Sequence, residues 1–187
     1  MVERLKREYD AQVEWKPFFL HPETPVEGLR LSPQMRARFA QANERLDQMA
    51  HAAGMDMVHP DVIPNSRRAL EATEYAQEHG KQEDFHRVVF RKYYGEGQDI
   101  HAWSVLRAAA EEAGLDAQAM QQAVESGAYQ KVLDAVIDKA YALGIHAVPT
   151  YVLNDRYAIV GAQPYEAFER ILARLAEETR PGDTPEP

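Results

Sequence analysis

Residues 144–153 read Gly-Ile-His-Ala-Val-Pro-Thr-Tyr-Val-Leu (GIHAVPTYVL), and residues 157–164 read Tyr-Ala-Ile-Val-Gly-Ala-Gln-Pro (YAIVGAQP). β-Branched and aromatic residues dominate both runs, which therefore read as strands, Val148–Leu153 and Tyr157–Val160. Asn154-Asp155 between them supplies the residue types that a tight hairpin turn needs. Gly161 then turns the chain, and Gln163-Pro164 opens a helix with Phe168, Ile171, Leu172 and Leu175 on its core face. The C-terminal part is thus strand, hairpin, strand, glycine turn, helix.

Upstream the pattern is mostly helical. Ser32-Pro33 is an N-cap followed by proline at the first helical position, and Met35, Phe39, Ala42, Leu46 and Met49 recur at helical spacing up to Gly54. Asn65 or Ser66 caps a helix running to Gly80 that packs through Ala69, Leu70, Ala72 and Ala76. Phe85, Val88, Val89 and Tyr93 mark a further helix, ended at Gly95-Glu96-Gly97. Leu106, Ala109, Ala110 and Ala113 belong to the next, and Asp116 caps a short one to Ser126. Tyr129, Val132, Leu133, Val136, Ala140 and Leu143 make the cleanest amphipathic stripe, closed by Gly144.

The N-terminal segment differs. Val2–Asp10 reads as a helix without a cap, with Val2 and Leu5 on one face. In Gln12–Leu20 (QVEWKPFFL), Val13 and Trp15 alternate with Gln12, Glu14 and Lys16, so a half-buried strand is expected. Pro17 confines it to a sheet edge or an early end. Three strands split by a helical block predict one α/β domain with an all-helical insertion.

Composition narrows the function. The 187 residues carry 21 Lys+Arg against 30 Asp+Glu, a formal net charge of −9, which disfavours binding to a phosphate backbone; no nucleic-acid partner is expected. No apolar run is long enough to span a membrane, and no apolar stretch follows the first residues as in a signal peptide; no membrane partner is expected. The cysteine count is 0, which removes disulfides, thiolate metal sites and a cysteine nucleophile from this chain. Seven histidines are present, without paired ligand spacing, and read as surface residues; no metal and no cofactor is expected. Arg67-Arg68 reads as a solvated pair, and the acidic residues as solvated helix faces and caps. Trp15 and Trp103 read as core or edge anchors.

Together, GIHAVPTYVL and YAIVGAQP resemble the C-terminal half of a thioredoxin fold. With VEWKPFFLHP (residues 13–22), Thr24-Pro25, PNSRRALEATEY (64–75) and FHRVVFRKYY (85–94), the chain resembles the DsbA-like thioredoxin-fold proteins, specifically their cytoplasmic FrnE-like branch. The resemblance implies a thioredoxin-like sheet of DsbA type with a large all-helical insertion at about 32–143, in a domain over 1–178; the polar, Pro-rich stretch at 179–187 reads as a disordered tail. It implies a cis Val148–Pro149 bond, although base rate alone favours trans. Val148, Pro149 and Thr150 become the substrate groove, where an extended peptide or small thiol or disulfide substrate would pair with the backbone. Trp15, Phe18 and Phe19 are candidate groove walls.

The family's C-x-x-C motif opens a helix, whose N-terminus lowers the first thiol pKa. Here Met1 falls inside that helix, so the motif and its preceding central strand would lie before Met1. The chain is therefore expected to be a thiol–disulfide oxidoreductase homologue that is inactive alone, located in the cytoplasm. A non-catalytic peptide-binding or chaperone-like protein is the second reading, and a glutathione-dependent isomerase or transferase of the kappa-class branch the third. A homodimer or a strand-completing partner would be needed to fill the sheet.

Overall fold

The computed structural model describes residues 2–178; the tail expected at 179–187 lies outside them. In chain order the elements are α1 (Val2–Tyr9), β1 (Leu29–Arg30), α2 (Pro33–Ala52), β2 (Val62–Ile63), α3 (Arg67–Glu78) and α4 (Gln82–Phe90), which runs into a π-helical turn at Arg91–Gly95. Then come α5 (Trp103–Glu112), α6 (Ala117–Glu125), α7 (Gln130–Ala142), β3 (Thr150–Leu153), β4 (Tyr157–Val160) and α8 (Tyr165–Glu178). The chain divides into two compact units. One comprises the residues up to Glu14 with those from Tyr141 onward, and the other is Trp15–Ala140.

The second unit is helical because its caps and small residues permit close packing. Asp116 Oδ1 accepts the Gln118 and Ala119 N–H groups at 2.9 Å each, starting α6. Ser32 Oγ accepts the Met35 N–H at 3.2 Å at the start of α2. At α3 it is Asn65, and not Ser66, that caps: its Oδ1 accepts the Arg67 N–H at 3.0 Å while its Nδ2 donates to the Thr24 carbonyl at 2.7 Å. Ala72, Ala76, Ala109 and Ala110 are wholly buried, letting α3, α4, α5 and α6 approach around Phe85, Leu106 and Met120. Burying each of those three large side chains contributes about 2–3 kcal/mol. A second cluster joins Phe19 to Leu133 and Ile137 of α7, with Leu70 of α3 against it.

Several sequence expectations fail here for definable reasons. Gln12–Leu20 is not a strand. Its side chains do alternate, with Val13, Trp15 and Pro17 covered and Gln12, Glu14 and Lys16 exposed. Among the described residues, however, no strand pairs with it, and the Trp15 carbonyl accepts from Gln82 Nε2 at 3.0 Å instead. The α2 stripe does not face a core: Phe39, Leu46 and Met49 are 41%, 41% and 45% exposed. In α7, Leu133 and Ile137 point inward, whereas Val132 is exposed, as is Leu143 just beyond the end of the helix. A small antiparallel pair, β1 with β2, was unexpected; it aligns Leu29 with Ile63 and Arg30 with Val62. Gly28 permits it, since its φ is +83° and a Cβ there would sit 2.8 Å from Val62 Cγ1.

The charged residues also depart from the solvated-face reading. Arg67 bonds Glu71 at 3.1 Å and Asp134 at 2.7 Å, tying α3 to α7. The Arg68 guanidinium lies 4.6 Å from the Trp103 ring centroid and donates to the His101 carbonyl. Glu71 and Glu74 are buried, and burial raises the pKa of both carboxyls. Glu74 Oε1 has no hydrogen-bond partner among the described residues. His86 is half-buried, stacked between Trp15 at 4.5 Å and Phe90 at 4.1 Å, and burial lowers its pKa.

In the first unit β3 and β4 form the expected hairpin, pairing Thr150 with Val160 and Leu153 with Tyr157. Asn154 and Asp155 take φ of 50° and 53°, and the Arg156 N–H donates to the Leu153 carbonyl at 3.1 Å. Those positive φ values match the twist that joins adjacent strands without splaying them. Leu5 of α1, Ile159 of β4 and Phe168 of α8 form the core of this unit.

Candidate functional site: the Val148–Thr150 edge

Two hydrogen bonds hold the segment before β3. Gly161 N–H donates to the Pro149 carbonyl at 2.8 Å, and Thr150 Oγ1 donates to the Ala147 carbonyl at 2.7 Å. The Val148–Pro149 peptide bond is cis. Val148 is 48% exposed and Pro149 is exposed, while Thr150 is half-buried. Behind them Tyr151 meets Phe168 edge-on, with ring centroids 4.8 Å apart, so the strand is fixed on its inner face.

The register decides what the outer edge offers. Because the Pro149 carbonyl points toward β4, backbone groups alternate so that those of Tyr151 and Leu153 also face β4. The N–H and C=O groups of Thr150 and Val152 then face the opposite edge. Among the described residues β3 has β4 as its one strand neighbour. The site is thus a short row of backbone donors and acceptors beside two exposed valines, Val148 and Val152.

Gly161 and Gln163 were not singled out as site residues from the sequence, yet they shape it. Gly161 has φ of +82°, and Gln163 Nε2 donates to the Val160 carbonyl at 3.0 Å. The signal was present in the glycine after a β-run followed by Gln-Pro. Elsewhere in the unit Arg4 Nε donates to Glu8 Oε1 at 2.8 Å, and Tyr165 Oη donates to Glu8 Oε2 at 2.9 Å. These bonds hold the Glu8 carboxyl below the usual carboxylate range, the Arg4 bond contributing most. Arg4 also lies 3.6 Å over the Tyr165 ring. This linkage joins α1 to α8.

Trp15, Phe18 and Phe19, the candidate walls, belong to the other compact unit. There Trp15 stacks on His86 and Phe19 is buried against α7; Phe18 is half-buried. No thiol exists in the chain, so the Val148–Thr150 segment cannot exchange disulfides with its own side chains.

The family model described as DSBA-like thioredoxin domain matches residues 1–173. The chain belongs to that family. It is 30% identical over 167 residues to the uncharacterized protein YwbO of Bacillus subtilis, covering 88% of this chain and 82% of that one. Its fold is also similar to solved structures. A probable DsbA oxidoreductase from Streptomyces coelicolor superposes with a TM-score of 0.80 at 22% identity, covering 91% of this chain and 78% of that one. A 2-hydroxychromene-2-carboxylate isomerase gives 0.78 at 21% identity, with 95% and 87% covered. A putative protein disulfide isomerase from Nitrosomonas europaea gives 0.73 at 18%, with 96% and 89% covered. The DSBA-like thioredoxin fold accommodates the long helical stretch and the short strands of this chain. Among the described residues no helix is long and apolar enough to cross a membrane.

Proposed function

We propose that this DSBA-like chain is a thiol–disulfide oxidoreductase homologue of the FrnE-like branch whose own contribution is to bind substrate along the outer edge of β3. The observation that carries this reading is the edge at Thr150 and Val152, unpaired among the described residues and set beside the exposed Val148 and Pro149. An extended peptide, or a small thiol or disulfide with peptide-like groups, adds to that edge as a further strand. Main-chain hydrogen bonds supply affinity, and the exposed valines supply apolar contact. The working compartment is the cytoplasm. The layout is a thioredoxin-like domain over 1–178 carrying a helical insertion at about 32–143.

The experiment is an NMR titration of the 15N-labelled chain with reduced, alkylated insulin B chain as the extended probe. The Thr150 and Val152 amides are expected to shift and to gain protection from hydrogen exchange. Val152→Pro deletes the outer-edge donor without removing a bond to β4, and is expected to weaken binding at least about tenfold. Unmoved amides at saturating probe would overturn the reading. An insulin-reduction assay on this chain is expected to be blank.

A second reading, a glutathione-dependent isomerase or transferase, is favoured by the likeness to the 2-hydroxychromene-2-carboxylate isomerase along 87% of that chain. Titration with glutathione in place of the peptide separates the two. Saturable shifts with glutathione and none with the B chain support the isomerase branch.

A further inference from the structure

The sequence of α2 sets Met35, Phe39, Ala42, Leu46 and Met49 on one face at successive steps of four, three, four and three residues. That is the 3.5-residue period of a helix–helix seam, narrower than the stripe of a helix lying on a core. The helix is 20 residues long, about 30 Å, and Ala50 is its one buried residue. Phe39, Leu46 and Met49 remain exposed, so the seam has the spacing for a partner helix and no such helix among the described residues.

The residues flanking the seam define the partner's charge. Arg38 and Arg45 stand one heptad apart along one side, and neither has an ion pair or hydrogen bond among the described residues. Arg36 stands on the other side, bonded to Asp61 at 2.8 Å, followed by the neutral Asn43 and Ala50. The acids of α2, Glu44 and Asp47, lie away from the seam, and Asp47 is bonded to His59 at 2.6 Å. A chain of net charge −9 therefore presents a basic-edged apolar strip. A second copy of α2 fits this strip poorly. Run antiparallel it opposes arginine with arginine, and run parallel it opposes arginine with asparagine and alanine.

We propose that α2 is a docking helix whose occupant is an amphipathic helix of a partner protein, with an apolar seam edged by glutamate or aspartate. The acidic edges pair with Arg38 and Arg45, and the apolar seam covers Phe39, Leu46 and Met49. This site is independent of the β3 edge.

The test uses the full chain and two fluorescent peptides of about three heptads, both with leucine in the seam. One carries glutamate at the flanking positions and the other lysine. The glutamate peptide is expected to bind at least about tenfold more tightly, with affinity falling as salt rises. Leu46→Glu, an exposed change that leaves the thermal melt intact, is expected to abolish binding. The double variant R38E/R45E is expected to favour the lysine peptide. Equal affinities, or no binding by either peptide, would overturn the proposal. So would a sedimenting dimer that Leu46→Glu dissociates, because that assigns the strip to a second copy.

Discussion

Gly161 holds Pro149: its N–H reaches the proline carbonyl at 2.8 Å, and it does so from a backbone φ of +82°. A side chain at position 161 meets no crowding closer than Gln163 Nε2 at 3.8 Å, so the obstacle is backbone conformation and not space. Gly161→Ala is expected to cost about 1 kcal/mol of stability in denaturant unfolding. It is also expected to weaken peptide binding at the β3 edge, because the carbonyl that sets the alternation loses its anchor. Unchanged stability and affinity would show that the turn does not fix the loop.

Arg67 is the partner that makes the buried Glu71 tolerable. Removing it as Arg67→Ala leaves a buried carboxylate unpaired and also frees Asp134 of α7. The expected loss is about 2–3 kcal/mol, taken below the fully buried case because Arg67 is itself partly exposed. The double variant R67M/E71M is expected to recover most of that loss. A double-mutant cycle by urea unfolding measures both.

Glu74 is buried with one carboxylate oxygen unbonded, and burial raises its pKa in the fold. Between the unfolded and the folded pKa the native state therefore holds the extra proton. Its contribution to stability is greatest in acid and declines as pH rises through that interval. Glu74→Gln keeps the shape and removes the titration. Its stability relative to the natural chain is expected to be more favourable at pH 8 than at pH 4; the opposite ordering would refute the assignment.

His86 behaves inversely. Its ring lies between Trp15 and Phe90, and burial lowers its pKa, so the neutral form is the folded one. Stability from this group is present above the ordinary histidine pKa and is lost as pH falls through the lowered value. With Trp103→Phe, Trp15 is the sole tryptophan left of the two in the chain. Its fluorescence is expected to titrate below pH 6.5, the ordinary histidine value, and His86→Phe is expected to abolish that transition.

Phe168 is wholly buried between the hairpin and α1 and meets Tyr151 edge-on. Phe168→Ala is expected to cost about 3–5 kcal/mol and to release the β3–β4 amides to fast hydrogen exchange. The helical core around Phe85 is expected to keep its protection, since Phe168 has no part in it.

Local chemistry that acts over a few residues was legible in the sequence. The Asn154-Asp155 turn, the Asp116 cap and the Ser32-Pro33 start all appear where their chemistry required them. What escaped is what depends on a distant partner. Val13 and Trp15 alternate with polar neighbours as a strand would, but a ladder needs a second strand and alternation cannot supply one. Met35 to Met49 is apolar at helical spacing, yet spacing does not say whether the covering surface lies in the same chain. Burial of Glu71 and Glu74 also followed from packing across helices, which no local pattern encodes. Val148, Pro149 and Thr150 came from resemblance to a family, and the backbone alternation around them needed coordinates.

The open edge of β3 carries a hazard as well as a use. An unpaired row of donors and acceptors flanked by Val148 and Val152 is a template on which identical chains can stack at high concentration. One local feature restrains it: the Asn154-Asp155 turn ends the row after the four residues of β3. Lengthening this strand would therefore be expected to convert a recognition edge into a seed for aggregation.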